Sequence, residues 1–271
     1  MDTHSIIYRS SKIFYRTAGK GRPVILIHGF AEDGNIWNRQ VDFLKGHFRL
    51  IIPDLPGSGR SELIPDMSIE GMADLIKEII DIETANSLLP EKGSVVAVGH
   101  SMGGYIILAL AEKYPALLSA FALVHSSAYA DSEEKKSTRL KSIGFIQKNG
   151  AHEFLKAAIP NLFTPANNEN PSNSFISDLI EKAKDFSPEA LTAYYHAMIN
   201  RPDRTHIFKN FLHPVLLIIG EHDNAVPFEQ SMQQTYLPNC PYIHILRKSA
   251  HMGMLEETEK VNTALLAFLK D

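Results

Sequence analysis

The sequence predicts an α/β fold built on a mostly parallel, doubly wound sheet. Short apolar runs alternate with helical patterns along the chain, and strands apolar on both faces are typical of a parallel sheet covered by helices. The 271 residues, of which 44% are hydrophobic, suffice for a sizeable core. The apolar runs are residues 24–27, 50–52, 95–98, 121–124, 215–219 and 243–246.

Two short alternating segments at the start of the chain, residues 5–9 and 12–17, predict an antiparallel hairpin. Between the later runs, the apolar residues of 69–80 trace one helical face behind Ser68, a residue type that caps helices. The apolar residues of 261–269 trace another helical face near the end of the sequence. Right-handed crossovers are expected between the parallel strands.

The interval 127–205 breaks this alternation. It contains helical patterns without a strand-like run, and a structureless loop of that length is uncommon in a compact domain. We therefore expect a helical cap, residues 127–205, to fold over one end of a core domain formed by residues 1–126 and 206–271. Four prolines break its helical patterns, namely Pro160, Pro165, Pro171 and Pro188.

The start of this interval is strongly charged. Asp131 followed by Glu134 has the spacing of a capping box. Because acidic residues precede the basic ones, a solvated helix face is favoured over a nucleic-acid site. The net charge of -4 likewise gives no indication of nucleic-acid binding. The basic residues are Lys135, Lys136, Arg139, Lys141 and Lys148.

Composition also bounds the compartment and the partners. A single cysteine, Cys240, allows no internal disulfide and is compatible with a reducing compartment. The first residues lack the pattern of a secretory signal, and no apolar run approaches the ~20 residues needed to span a bilayer. We expect a cytoplasmic protein that acts on a small molecule without nucleic acid or membrane; its oligomeric state stays open.

The most informative stretch is 95–104. Four apolar residues run into Gly99-His100-Ser101-Met102-Gly103, and a helix-forming segment, 105–113, follows at once. Buried strand, sharp turn and helix form the setting of a nucleophile elbow, in which a serine projects from the sheet. The glycines are small because strand and helix must approach closely there. Ser101 is therefore the candidate nucleophile.

In an open parallel sheet, ligands bind beyond the carboxyl ends of the strands. After the run 24–27 comes His28-Gly29-Phe30-Ala31. The backbone N–H of Phe30 can join that of Met102 as the two donors of an oxyanion hole. After the run 50–52 comes the glycine-rich segment 54–61, which lacks the third glycine and the helix pattern of a phosphate loop, so we predict a structural turn.

A candidate acid and a candidate base follow later strands. Asp223 lies in the turn after the run 215–219, with Glu221 as its nearest rival. His251 is distinguished among 12 histidines by its place after the last strand and before the final helix. The order Ser101, Asp223, His251 is that of the Ser…Asp…His triads on this kind of sheet.

Together these motifs resemble those of the α/β-hydrolases over nearly the whole length. They are the His28-Gly29 turn, the 54–61 loop, the 99–104 elbow, the 220–227 turn and Ala250-His251. The resemblance implies an α/β-hydrolase fold with a helical cap, and a carboxylesterase-like serine hydrolase. Some members place the acid after the strand ending near Val124; here that exit reads His125-Ser126-Ser127, which favours Asp223.

Several activities share this fold. An aspartate at the elbow would indicate an epoxide hydrolase or a dehalogenase, and Ser101 argues against both. Tyr105 stands where a menaquinone-pathway synthase of this fold is expected to carry arginine. Carbon–carbon bond hydrolases, enol-lactonases and cofactor-free haloperoxidases use a similar serine triad and stay open. So does a ligand receptor with slow turnover, although Gly103-Gly104 favours an enzyme.

We expect a small or medium carboxylic ester as substrate, with no cofactor and no metal. Met252 and Met254 adjoin the predicted base and are the candidate pocket residues, as are Phe30 and Met102. Aromatic and aliphatic residues of the cap either wall an apolar acyl pocket or form the cap's own core. They are Phe145, Phe154, Leu155, Phe163, Phe175, Ile176, Leu179, Tyr194 and Tyr195.

Overall fold

The computed structural model describes residues 1–85, 95–168 and 174–271. Its strands form one eight-stranded sheet with the order β1-β2-β4-β3-β5-β6-β7-β8. The strands are β1 Asp2–Tyr8, β2 Ser11–Ala18, β3 Pro23–Ile27, β4 Arg49–Pro53, β5 Val95–His100, β6 Leu118–Val124, β7 Val215–Gly220 and β8 Pro241–Leu246.

Helices connect the strands. They are α1 Asn38–Leu44, α2 Ile69–Thr84, α3 Met102–Lys113, α4 Glu133–Asn149, α5 Ala151–Ala158, α6 Pro165–Asn168, α7 Phe175–Lys182, α8 Pro188–Asn200, α9 Thr205–Asn210, α10 Phe228–Gln234, α11 Gly253–Glu256 and α12 Thr258–Lys270. Short 3-10 helices lie at Gly34–Trp37, Pro115–Leu117, Ile159–Leu162 and Ala183–Asp185.

The predicted α/β class and the hairpin are confirmed. β1 pairs with β2 in antiparallel register from Asp2 opposite Thr17 to Tyr8 opposite Ser11, and β2 also runs antiparallel to β4. All other pairs, from β4 to β8, are parallel. β3, β5 and β7 are buried along their whole length, which is why each appears in the sequence as a continuous apolar run.

α2 and α3 pack together beside the sheet. The Ser68 hydroxyl accepts a hydrogen bond from the Gly71 N–H at 3.0 Å, so this residue caps α2 as its sequence predicts. α3 follows β5 directly and is buried from Met102 to Ala111. Buried on nearly all sides, α3 holds the segment after β5 firmly against the sheet.

Between β6 and β7, the described residues form helices and turns, in agreement with the helical segment expected there. The prolines lie at helix starts, where a missing N–H costs nothing. Pro165 and Pro188 open α6 and α8, and Pro160 lies at the start of a 3-10 helix. Pro171 lies outside the described residues. We call residues 127–205 the helical insertion.

The predicted capping box at Asp131 is wrong. α4 is capped one residue later, by Ser132, whose hydroxyl accepts from the Lys135 N–H at 3.2 Å. The Asp131 carboxylate is instead fully buried and paired with Arg139 and Arg201. Serine and aspartate are both good caps, and the buried arginines decide which of the two neighbours takes that position.

No helix among the described residues is long and apolar enough to cross a membrane.

Candidate active site

The carboxyl ends of the parallel strands and the helical insertion enclose a cavity of about 870 Å³. Ser101, His251 and Phe30 line it, as do Arg139 and Arg201 from the insertion. Because parallel strands present their carboxyl ends at one edge, residues that follow β3, β5 and β8 meet there.

Ser101 occupies a strained turn between β5 and α3. Its φ of 49° and ψ of -114° lie in a region that L-residues rarely adopt. The neighbouring exit of β6 holds this turn: the Ser101 N–H donates to the Val124 carbonyl at 2.9 Å, and the Ser126 hydroxyl donates to the Ser101 carbonyl at 2.7 Å. The serine is thus fixed at both ends of its own backbone.

The elbow glycines are required by close packing. A Cβ on Gly99 would lie 2.5 Å from the carbonyl carbon of Gly103, and one on Gly103 would collide with the carbonyl of Ile27. A Cβ on Gly104 would meet the Ser126 side chain that holds the turn. The sequence-based reason for the first two glycines agrees with this geometry.

Asp223 lies beside His251 and is saturated with hydrogen bonds. Its Oδ2 is 2.8 Å from His251 Nδ1 and 3.2 Å from His125 Nδ1. Its Oδ1 accepts from the N–H groups of Ala225 and Val226, both at 2.8 Å. Burial alone would raise the pKa of Asp223, but the adjacent His251 and the hydrogen bonds from both histidines lower it. The carboxylate is therefore ionised and immobile.

Glu221, the rival acid, is exposed, and its backbone N–H pairs with the Leu246 carbonyl. The structure thus brings Asp223, rather than Glu221, to His251. His125 was not singled out from the sequence. The Gly253 N–H donates to His125 Nε2 at 3.2 Å, so the ring proton lies on Nδ1, which donates to Asp223. Burial lowers the pKa of His125 to about 4, against the attraction of that carboxylate.

A second buried pair braces the base. His100 Nδ1 is 3.0 Å from Glu32 Oε2, and His100 Nε2 is 3.0 Å from the His251 carbonyl. Since both partners are acceptors, both ring nitrogens must donate, which requires the charged imidazolium. Burial would lower the pKa of His100, but the Glu32 carboxylate raises it.

The same Glu32 shapes the turn after β3. Its Oε2 also accepts from the Gly29 N–H at 2.7 Å, and Ala31 takes a positive φ of 56°. His28 Nε2 accepts from the Leu55 N–H at 2.9 Å, which leaves its Nδ1–H for the Gly29 carbonyl. The backbone around Phe30 is thereby fixed on both sides.

Met102 is the first residue of α3. The N–H groups of a first helical turn have no acceptor within the helix, so α3 itself leaves the N–H of Met102 available to a ligand. The Phe30 ring stacks on Tyr195 of the insertion with ring centroids 4.4 Å apart. This stack forms one wall of the cavity beside Ser101.

The loop 54–61 is a turn, as predicted, and it contacts the insertion. Asp54 accepts from the Gly34 N–H at 3.0 Å, and Gly57 takes a positive φ of 83°. The buried Tyr194 hydroxyl donates to the Pro56 carbonyl at 2.6 Å and lies 2.9 Å from the Ser58 hydroxyl. α8 is thus tied to the loop after β4.

Polar and apolar residues both line the cavity. Met252 and Met254, the candidate pocket residues, pack in the core and do not line this cavity, because their side chains are buried among other apolar residues. Met102 is also buried in the core. Of the aromatic and aliphatic residues proposed for the pocket, Tyr195 lines this cavity, whereas Phe175 and Leu179 line a separate groove.

The prediction of a wholly solvated basic face on α4 is wrong for Arg139. Lys141 and Lys148 are exposed, and Lys136 pairs with Glu133 at 2.8 Å. The Arg139 side chain is only 13% exposed and points its charge at Asp131. A single sequence offers no signal for this, because the partner charges lie in other segments.

The ligand atoms of His125, Asp223 and His251 lie within 4.8 Å of one another, close enough to hold a metal ion. The hydrogen bonds compete with that use. His125 Nδ1 carries a proton because its Nε2 accepts from Gly253, and a protonated nitrogen cannot ligate. The donor set therefore fits a hydrogen-bonded acid and base better than a metal centre.

A sequence model of the α/β hydrolase family matches residues 24–264. The chain belongs to the α/β hydrolase family. Its curated relatives and structural neighbours identify it as a hydrolase enzyme, and its sheet and helices carry the fold of that family.

The similar proteins have several activities. The pimeloyl-[acyl-carrier protein] methyl ester esterase of Legionella pneumophila is 28% identical over 93% of this chain and 97% of its own. The 2-hydroxy-6-oxo-6-(2'-aminophenyl)hexa-2,4-dienoic acid hydrolase of Metapseudomonas resinovorans is 25% identical over 94% and 86%. The chain also matches the dihydrolipoyllysine-residue acetyltransferase component of the acetoin cleaving system of Pseudomonas putida at 26% identity, over 92% of this chain but only 64% of that protein.

Among solved structures, the thermophilic esterase of Thermogutta terrifontis, with malate bound, superposes with a TM-score of 0.89. It is 27% identical and covers 100% of this chain and 98% of its own.

Proposed function

We propose that this hydrolase cleaves a small or medium carboxylic ester through a catalytic triad. Ser101 is the nucleophile, His251 is the general base, and Asp223 is the carboxylate that orients His251. The supporting observation is the 2.8 Å contact between Asp223 Oδ2 and His251 Nδ1, in a site where His251 and the strained Ser101 line one cavity. Serine is a weak nucleophile and needs such a base.

In this mechanism His251 Nε2 takes the Ser101 proton while Ser101 Oγ attacks the ester carbonyl. Asp223 keeps the other ring proton on Nδ1 and stabilises the imidazolium. The N–H groups of Phe30 and Met102 hold the oxyanion, and each such donor lowers the barrier by about 2.7–4 kcal/mol. His251 then protonates the leaving alcohol, and water attacks the acyl-enzyme.

The relatives support ester chemistry. Both the Legionella protein and the Thermogutta protein are esterases, and each aligns with almost the whole chain. In this proposal residues 127–205 act as the cap that closes the cavity, a small molecule is the partner, and the cytoplasm remains the expected compartment.

Ser101→Ala tests the proposal. We expect the variant to lose about 10⁴-fold or more of its activity on short-chain nitrophenyl esters, and all labelling by a fluorophosphonate, because no nucleophile remains. The matched control is Ser5→Ala, on the exposed face of β1. Thermal unfolding verifies that Ser101→Ala is folded; a folded variant that keeps near-full activity contradicts the assignment.

Carbon–carbon bond cleavage is a second candidate because the Metapseudomonas relative, a dienoic acid hydrolase, aligns over 94% of the chain. A panel of esters graded by acyl length, assayed beside a vinylogous 2-hydroxy-6-oxo acid, separates the two activities. Multiple turnovers per second on an ester favour the esterase, whereas a single slow burst favours a receptor. Lactone and peroxide substrates extend the same panel to the other serine-triad activities.

A further inference from the structure

The wall of the cavity includes a buried cluster of one acid and two arginines. Arg139 Nε donates to Asp131 Oδ2 at 2.6 Å, and Arg201 Nη1 lies 3.0 Å from Asp131 Oδ1. The side chains are 13%, 4% and 0% exposed for Arg139, Arg201 and Asp131. The three residues line the same cavity as Ser101. Their positive charge is not needed by the proposed ester hydrolysis.

The three buried side chains carry one net positive charge, and Lys135, which lines the same cavity, adds another. Burial would raise the pKa of Asp131, but the hydrogen bond from Arg139 and the charge of Arg201 lower it, so the acid is ionised. One carboxylate then faces two guanidinium groups. Glu134 and Asp203 also line the cavity, but both are exposed and their charges are screened by solvent. A buried charge without a counter-ion is unfavourable, so the site lacks one anion.

Donors remain available around this charge. Arg201 also donates to the carbonyls of Met198 and Tyr129 at 2.7 and 3.0 Å, so both of its Nη atoms already have protein partners. Arg139, by contrast, uses Nε and Nη2 on Asp131, and its Nη1 makes no hydrogen bond to any described residue. Lys135 Nζ gives one of its three protons to the Ala225 carbonyl at 2.7 Å.

Tyr105 connects the cluster to the elbow. The Arg201 guanidinium lies 3.9 Å from the centre of its ring, and its hydroxyl has no partner among the described residues. Burial would raise the pKa of Tyr105, but Arg201, Lys135 and Arg139 lower it, which makes the hydroxyl a stronger donor. Tyr105 follows Ser101 by four residues of α3, a rise of about 6 Å along the helix axis.

We propose that Arg139 and Tyr105 bind a carboxylate in the acyl chain of the substrate, so that the substrate is a monoester of a short dicarboxylic acid. This proposal rests on the proposed ester hydrolysis. A carboxylate balances the net positive charge of the three buried side chains. The acyl half stays attached to Ser101, and α3 fixes Tyr105 relative to that serine through both halves of the reaction.

Binding tests the subsite without using activity. In the Ser101→Ala protein, calorimetry compares monoethyl glutarate with ethyl glutaramate, which differ in a carboxylate against a neutral amide. We expect the carboxylate to bind about 10- to 100-fold more tightly, the range of a hydrogen bond to a charged group. Equal binding of the two esters overturns the proposal.

Substitutions locate the preference. Arg139→Gln in the Ser101→Ala background removes most of the preference for the charged ester, and Tyr105→Phe, which keeps the ring under Arg201, lowers it several-fold. The matched control is Lys148→Gln, which removes an exposed charge from the same helix and leaves the preference intact. Should Arg139→Gln unfold, Arg139→Lys retains the charge and weakens the preference. A preference that survives in the folded Arg139 and Tyr105 variants overturns the assignment.

The wild-type enzyme separates the two proposals. If it hydrolyses neutral esters but does not favour monoethyl glutarate over ethyl glutaramate, the ester chemistry stands and the subsite fails. If the Ser101→Ala protein prefers the charged ester but the wild-type enzyme hydrolyses no ester, the subsite stands and the ester chemistry fails.

Discussion

Asp223 shows how one carboxylate can be held in a single state. Its four lone-pair positions accept two backbone N–H groups and two histidine N–H groups, so no rotation of the side chain preserves its contacts. A neutral His125 adds a hydrogen bond without adding a charge that would compete with His251. The acid is therefore rigid, ionised and directed at one ring.

Replacing this acid should be far more damaging than replacing its rival. Asp223→Asn is expected to lower kcat about 10⁴-fold on a short-chain nitrophenyl ester, because the amide favours the wrong tautomer of His251. Glu221→Gln, an exposed position in the same turn, should stay within about twofold of the wild type. Steady-state kinetics on both purified variants decide the matter, and the reverse ranking would move the acid to Glu221.

At the same scale, the motif residues were predictable and their supports were not. Ser101, Asp223 and His251 follow strands and stand beside glycines, which a single sequence displays. Glu32 and His100 pair across 68 residues, and Asp131 meets Arg201 only after the insertion has folded. These pairs form between residues that are distant in the chain, and a single sequence does not show which distant residues are in contact.

Elements were predictable where burial is uniform. β3, β5 and β7 are buried on both faces and stand out as apolar runs, whereas β8 begins with exposed residues and starts two residues before its predicted run. The apolar residues of the insertion could not be divided between a pocket and the core from the sequence alone, because both positions favour apolar side chains. Leu155, Phe163 and Tyr194 lie in that core.

The contact between α8 and the loop after β4 gives a prediction about how the insertion is held. Tyr194→Phe leaves the Pro56 carbonyl and the Ser58 hydroxyl without their buried partner, so the free energy of unfolding should fall by about 1–3 kcal/mol. Tyr236→Phe, at a side chain that is 85% exposed, should change it little. Urea denaturation measures both. An unchanged stability in Tyr194→Phe would mean that solvent or a neighbouring group replaces the contact.

At the scale of the whole molecule, two buried histidines make the free energy of unfolding depend on pH in opposite ways. The pKa of His125 falls to about 4 in the folded protein, against ~6.5 in the unfolded chain. Between these values the unfolded chain binds a proton that the folded protein does not, so stability falls as the pH drops. The pKa of His100 is raised in the folded protein. Its stabilising effect is therefore fully present below ~6.5, the pKa in the unfolded chain, and is lost as the pH rises from there through the folded pKa.

Urea denaturation from pH 4.5 to 6.5 tests the His125 contribution. The free energy of unfolding should fall by up to about 1.4 kcal/mol per pH unit through this group. His125→Asn, whose amide can replace Nδ1–H, should flatten the slope by that amount, while His47→Asn at an exposed position should not. Asp223 contributes outside this window, because its lowered pKa affects stability only below ~3.9. Identical slopes in all three proteins would assign the acid sensitivity elsewhere.

The strained backbone of Ser101 has an evolutionary consequence. A non-glycine residue at φ 49° and ψ -114° carries a penalty of about 1–3 kcal/mol that glycine would remove. A variant with glycine here should therefore be more stable than the protein with serine. A lineage that still keeps serine here is one in which selection on the hydroxyl outweighs that gain. Glycine at this turn in a related protein would mark one in which the hydroxyl is no longer needed.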